Sequence, residues 1–162
     1  MNMRAIMARA PVIPVLTIER EADAVPLARA LCAGGLTVLE VTLRTPAALA
    51  AISAMRKACP EAIVGAGTLT APEDFVRVAT AGAQFAVTPG LTEELAVAGR
   101  HAGFPLLPGV ATASELIAAR AAGFTALKFF PAEPAGGTAM LAAFAPVFAD
   151  VVFCPTGGIT RE

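Results

Sequence analysis

The stretch "TVLEVTLRTPAALAAISAMRKAC", residues 37–59, changes its periodicity halfway along. From Thr37 to Leu43 the residues are mostly apolar or β-branched, with one charge, Glu40, among them. Such a run suits a strand of a parallel sheet covered on both faces. From Pro46 the apolar residues recur at helical spacing, and proline suits a first helical turn, where its missing N–H costs nothing. The segment reads as one strand followed by one helix.

The unit repeats. Strands are predicted at "PVIPVLTI" (11–18), "TVLEVTL" (37–43), "AIVGAGTL" (62–69), "QFAVTP" (84–89), "PLLPGV" (105–110), "ALKFFP" (126–131) and "VVFCPTG" (151–157), with alanine-rich helices between them. Pro46, Pro72, Thr92 ahead of two glutamates, and Thr112 three residues before Glu115 mark helix starts. Gly35, Gly82, Gly103 and Gly123 mark helix ends. Strand starts fall roughly 20–27 residues apart, in keeping with repeated β–α units. Residues 1–10 form an N-terminal extension or short helix.

An open doubly wound sheet and a β/α barrel both accept this pattern. A dinucleotide-binding sheet should carry G-x-G-x-x-G after its first strand, whereas "TIEREADA" (17–24) has no glycine and "GAGT" (65–68) is only a fragment. The expectation is therefore an α/β fold of the (β/α)8 TIM-barrel type, one domain over residues 1–162. About seven strands are present and the last β/α unit is missing. "GGITRE" (157–162) stands where the next helix should begin. Such a barrel leaves its first and seventh strands without a partner between them.

Composition excludes several classes. The 162 residues are 56% hydrophobic and 15% charged with net charge −1, which is no disordered chain. No basic stripe suggests a nucleic-acid partner. The longest uncharged run, residues 134–149, contains glycines and prolines and is too short to span a membrane. "MNMRAIMARA" lacks the long apolar segment and cleavage site of a signal peptide. Cys32, Cys59 and Cys154 are odd in number and far apart, which points to reduced thiols in a cytoplasmic protein. The one histidine, His101, is expected on a surface helix, and no metal-ligand cluster is expected.

Arginine outnumbers lysine ten to two, and one lysine, Lys128, sits in the apolar run "TALKFFPAEPAGG" (125–137). Residues two apart share a strand face. Glu40, Thr42 and Arg44 should therefore point into the barrel, with Leu39, Val41 and Leu43 toward the helices. Lys128 and Phe130 should likewise point inward, with Leu127 and Phe129 outward. Thr68 and Thr156 close their strands at the carboxyl end, where barrel active sites are built. A lysine in an apolar cavity loses solvation of its charged form, so its pKa falls from about 10.4 toward about 7–8. Its free amine can attack a ketone to form a Schiff base. A nearby carboxylate can move protons, and an arginine can hold a substrate carboxylate. Lys128 and Glu40 could equally form a structural ion pair, as could Glu40 and Arg44. Cys154 reads as a core residue, and the glycine pairs at 136–137 and 157–158 read as turns or, for the second, an anion-binding loop.

"VLEVTLRT", "IVGAGTL", "AQFAVTPGLTEEL", "PLLPGVATASEL", "LKFFPAE" and "FCPTGGI" closely resemble the bacterial 2-keto-3-deoxy-6-phosphogluconate (KDPG) aldolases, also called 4-hydroxy-2-oxoglutarate (KHG) aldolases. The resemblance runs from about Pro11 to the end of the sequence. It implies a class I aldolase, a carbon–carbon lyase on a β/α barrel, usually a homotrimer. No cofactor is implied beyond the covalent Schiff base. Lys128 matches the Schiff-base lysine and Glu40 the general acid and base. Arg44 and Thr68 match residues around the pyruvate carboxylate, with Pro89 and Phe130 as the apolar wall. Thr156, Gly157 and Gly158 match the loop near the carboxylate and the distal part of the substrate. The implied substrate is a small 2-keto acid: KDPG, split to pyruvate and D-glyceraldehyde 3-phosphate, or 4-hydroxy-2-oxoglutarate, split to pyruvate and glyoxylate. The alternatives are the phosphogalactonate aldolases, which resemble "LRT" and "FCPTGG" less, and an impaired barrel serving only in assembly. Members of the family continue for roughly 40–50 further residues, completing the eight-unit barrel.

Overall fold

Helices and strands alternate along almost the whole chain: α1 (Met3–Met7), β1 (Val15–Leu16), α2 (Glu21–Ala33), β2 (Val38–Thr42), α3 (Ala48–Ala58), β3 (Ile63–Gly67), α4 (Pro72–Ala81), β4 (Ala86–Val87), α5 (Glu93–His101), β5 (Leu106–Leu107), β6 (Gly109–Val110), α6 (Ala113–Ala121), β7 (Ala126–Phe129), α7 (Gly137–Phe144) and β8 (Val152–Pro155). The structure, a computed structural model, describes residues 1–160. The helix expected to begin within "GGITRE" would run into residues 161–162, outside the described part. Every strand pairing is parallel, in the orders β1-β2-β3-β4-β5 and β6-β7-β8. The architecture is the parallel α/β barrel type expected, and among the described residues no element follows β8.

The predicted strand at 105–110 is two segments, because Pro108 interrupts it. Proline has no N–H for a ladder. Before the break, Ala86 and Thr88 of the β4 region donate to the carbonyls of Pro105 and Leu107. At the break, the Pro108 carbonyl turns the other way and accepts the N–H of Lys128 at 2.9 Å. Eight segments therefore make seven staves. The first predicted strand, 11–18, shrinks to Val15–Leu16, and α3 starts at Ala48, two residues past Pro46.

Other helix starts follow the sequence signals. Thr92 Oγ1 accepts the Leu95 N–H at 3.3 Å. Thr112 Oγ1 accepts the Glu115 N–H, while the Glu115 carboxylate accepts from Ala111 and Thr112, holding that carboxyl below its usual range. Pro72 opens α4, and Gly82 ends it at φ 90°. His101 ends α5, exposed, as expected.

Alternation on the strands separates two kinds of core. Outward residues such as Leu39, Val41, Val64 and Ala66 pack on Ala28, Ile52 and Met55 of the surrounding helices. Leu127 and Phe129 do the same with Leu116 and Phe144. Inside the ring, Val38, Ile63, Phe85, Val87, Leu107 and Ala126 meet Met3 and Ile6 of α1. Val38, Ile63 and Ala126 are the first residues of their strands, so α1 closes the amino end of the ring and leaves the carboxyl end for polar groups. Among the described residues β1 pairs only with β2, and β8 only with β7. No described helix is long and apolar enough to cross a membrane.

Neighbours on α6 test this layering. Leu116 is fully buried and Ile117 is 59% exposed. In urea melts, Leu116→Ala should lose about 2–5 kcal/mol, and Ile117→Ala no more than about 0.5 kcal/mol. Equal losses would contradict the assigned face.

Candidate active site

Two strands bring the central groups together. On β2, Leu39 and Val41 are committed to the outer core, which turns Glu40 and Thr42 inward. Thr42 Oγ1 donates to the Leu16 carbonyl at 3.0 Å and lies 3.2 Å from Thr17 Oγ1, tying β1 to β2 above Glu40. On β7, the Phe129 ring meets Phe144 and Phe153 edge-on at centroid distances of 6.3 and 6.4 Å. Those contacts fix the outer face of β7 and leave Lys128 facing in.

The Lys128 Nζ lies 3.7 Å from Glu40 Oε1, with side chains 7% and 5% exposed. It also lies 4.9 Å from the centroid of the Phe130 ring, within cation–π range. Burial pushes the Glu40 carboxyl above its ordinary range; the positive charges of Lys128 and Arg44 oppose that shift without cancelling it. Glu40 Oε1 has no hydrogen-bond partner among the described residues. Removing each ion from water costs several kcal/mol, repaid only when the geometry is excellent and the remaining lone pairs are satisfied. Here the separation exceeds a hydrogen bond and the oxygen is unsatisfied. The pair is poor as a fastening. The alternative bridge from Glu40 to Arg44 does not form: Arg44 is exposed and makes no ion pair among the described residues.

Beside the pair opens a cavity of about 940 Å³, lined by Glu40, Arg44, Phe130, Thr156, Gly157 and Gly158, among others. Lys128 is not itself part of the lining; it lies against Glu40 and Phe130, which are. Thr68 and Pro89 stand at the carboxyl ends of β3 and β4 but are not part of this lining. Thr68 has φ 65°, the one non-glycine residue with a left-handed backbone among those described. For a β-branched residue that conformation costs on the order of 1–3 kcal/mol, strain placed beside the site.

The loops after β7 and β8 are laced together: Ala132 donates to Thr156 O at 2.8 Å and Glu133 to Gly157 O at 3.0 Å. Gly157 and Gly158 have φ of 99° and 77°, and a Cβ at 158 would stand 2.6 Å from Glu133 Cβ. Backbone conformation favours glycine at both positions, and close loop packing requires it at 158.

Cys154 departs from the expectation of a plain core residue. It packs against the inner cluster but also lines the cavity, directly opposite Lys128 in the β7–β8 register. Burial, and then the charge of Glu40, pushes its thiol pKa up. Its place two residues before Thr156, on the same strand face, was the signal available in the sequence. Among the described residues no group of three or more His, Cys, Asp or Glu gathers as metal ligands.

Comparison with known proteins gives this geometry a context. The family model described as KDPG and KHG aldolase matches residues 3–162. The KHG/KDPG aldolase of Escherichia coli K12 is 51% identical over 159 residues, covering 98% of this chain and 75% of that protein. The 2-dehydro-3-deoxy-phosphogluconate aldolase of Zymomonas mobilis is 52% identical over 162 residues, covering 98% and 76%. A crystal structure of the KDPG aldolase from Legionella pneumophila, with pyruvate captured at low pH as a covalent carbinolamine intermediate, superposes with a TM-score of 0.94 at 51% identity. That match covers 97% of this chain and 76% of the other. This chain spans about three quarters of the length of these relatives. With half of its residues shared and the same fold throughout, the chain belongs to the KDPG and KHG aldolase family of carbon–carbon lyases.

Proposed function

We propose that this chain is a class I aldolase that splits KDPG into pyruvate and D-glyceraldehyde 3-phosphate, and 4-hydroxy-2-oxoglutarate into pyruvate and glyoxylate. One observation carries the proposal: a sheltered amine 3.7 Å from a carboxyl whose facing oxygen has no partner, both beside a cavity sized for a small molecule. A pair kept for stability would be closed by hydrogen bonds. This one is left open on the side where a substrate arrives.

The steps follow from the groups present. Lys128 attacks the C2 carbonyl through its deprotonated form, giving a carbinolamine; Glu40 protonates the departing hydroxyl, and water leaves to give an iminium. Glu40, now a carboxylate, takes the proton of the C4 hydroxyl, directly or through water. The C3–C4 bond breaks, its electrons flow into the iminium, and the aldehyde departs. The remaining enamine takes a proton at C3, and water then hydrolyses the imine to release pyruvate and the free lysine. The protein-bound iminium is the electron sink, so the scheme uses no separate cofactor. Arg44, exposed and without an ion-pair partner among the described residues, is suited to grip the keto acid's carboxylate bidentately. Thr68 joins Arg44 around that carboxylate, Pro89 and Phe130 form the apolar wall, and the loop of Thr156, Gly157 and Gly158 lies near the carboxylate and the distal part of the substrate. The same reading extends to one barrel domain acting as a cytoplasmic homotrimer, in line with its three free cysteines and the usual assembly of the family. The edges of β1 and β8, unpaired among the described residues, favour a second reading, a barrel serving only in assembly; turnover separates the two.

Treatment with pyruvate and borohydride, followed by mass mapping, should place a reduced pyruvate adduct on Lys128 and none in Lys128→Ala. Persistent labelling of the variant, or no labelling of the parent, would remove the proposal. The pH dependence follows from Glu40. Its burial raises its pKa, so the base form appears only above the ordinary carboxylate value of about 4.3. The acidic limb of kcat should therefore rise at a pH above that value. Glu40→Gln should lower kcat roughly 10²–10⁴-fold and remove that limb. An unchanged limb in the variant would assign it to another group.

A further inference from the structure

We infer that Gly67 is a positioning residue whose missing side chain makes the room in which the Glu40 carboxyl sits; this rests on the acid–base role proposed for Glu40. β3 presents two glycines to the barrel interior at alternate positions, Gly65 opposite Glu40 and Gly67 opposite Thr42. Glycine inside a strand weakens it by roughly 0.5–1 kcal/mol relative to alanine, so two of them need a reason. Conformation is not that reason, since neither has positive φ. Space is. A Cβ at position 65 would stand 2.4 Å from the Phe85 ring, which leans in from the β4 side. A Cβ at position 67 would stand 2.0 Å from Glu40 Oε1, 2.7 Å from its carboxyl carbon and 2.8 Å from its Cγ.

The three heavy atoms nearest that Cβ all belong to one side chain, that of Glu40. Real Cβ atoms essentially never come within 3.0 Å of such neighbours. A methyl group at 67 would therefore swing the carboxyl out of its place 3.7 Å from Lys128 Nζ. Glu40 is 4% exposed but lines the cavity, so the cavity is the open space into which the displaced carboxyl would move. Gly67 thus acts through Glu40. It has no group of its own to offer the substrate.

A double-mutant cycle on the full chain tests this. Gly67→Ala in the parent should lower kcat roughly 10–100-fold while changing KM less than about 3-fold, as loss of aligned acid–base catalysis predicts. The same change in Glu40→Gln should lower the residual kcat less than about 3-fold. Thermal melting supplies a reading that needs no catalysis. Gly67→Ala should lower the midpoint in the parent and leave it equal or higher in Glu40→Ala, where the obstructing side chain is gone. If Gly67→Ala fails to fold alone, recovery of folding in the Glu40→Ala/Gly67→Ala double variant supports the inference, and continued failure overturns it. Equal losses in both backgrounds, in rate or in melting, also overturn it. Pyruvate trapping on Lys128 of the parent is run alongside. Trapping with an additive cycle sinks the Gly67 inference alone; a coupled melting cycle without trapping sinks the aldolase reading and leaves the steric relation standing.

Discussion

An amine and a carboxyl inside an apolar barrel oppose the hydrophobic logic of the fold around them. Each resists losing water, and the attraction between them recovers the loss only with short, well-aligned hydrogen bonds. Lys128 and Glu40 are held at 3.7 Å without that closure. Such an arrangement persists only if the scaffold fixes the two strands with both side chains facing in, and most of the structure meets that condition.

The constraint is met from three directions. From outside, Leu39 and Val41 on β2 and Leu127 and Phe129 on β7 are locked among helix side chains, so neither strand can rotate its polar residue outward. From below, α1 fills the amino end of the ring with Met3 and Ile6. From the side, β3 withdraws its own side chains at Gly65 and Gly67, so that Phe85 and Glu40 can lean into the vacated space. Pro108 adds a change of partner: its carbonyl turns from the β4 side of the barrel to hold the N–H of Lys128. The glycines and the proline, unfavourable in a strand by propensity, are placed where the site needs space or a break.

Much of this was legible in the sequence, for physical reasons. A strand has a period of two, so a lone Glu40 among alternating apolar residues had to face the opposite side from Leu39 and Val41. The same held for Lys128. Thr92, Thr112 with Glu115, and Gly82 marked helix boundaries because they satisfy end groups locally, and local chemistry can be read from local sequence. What depends on register across strands was not legible. Spacing within β2 allowed an ion pair from Glu40 to Arg44 as readily as one to Lys128, although these two are 88 positions apart. Cys154 looked like core until the β7–β8 register set it opposite Lys128. Gly67 looked like part of a weak glycine motif, since the side chain that needs its space belongs to another strand. The strands are shorter than their apolar runs predict, because an apolar run does not show where its neighbour stops pairing. The individual roles given to Arg44, Thr68, Pro89, Thr156, Gly157 and Gly158 came from family resemblance, not from spacing.

The most direct measurement is a crystal structure of the full chain soaked in pyruvate at a pH low enough to slow imine hydrolysis. Continuous density should join Lys128 Nζ to C2 of pyruvate, with the Glu40 carboxyl within hydrogen-bond distance of the oxygen that leaves C2. Pyruvate bound without a covalent link, or linked while Glu40 points away from that oxygen, would contradict the central claim that the sheltered amine and the carboxyl beside it form one catalytic unit.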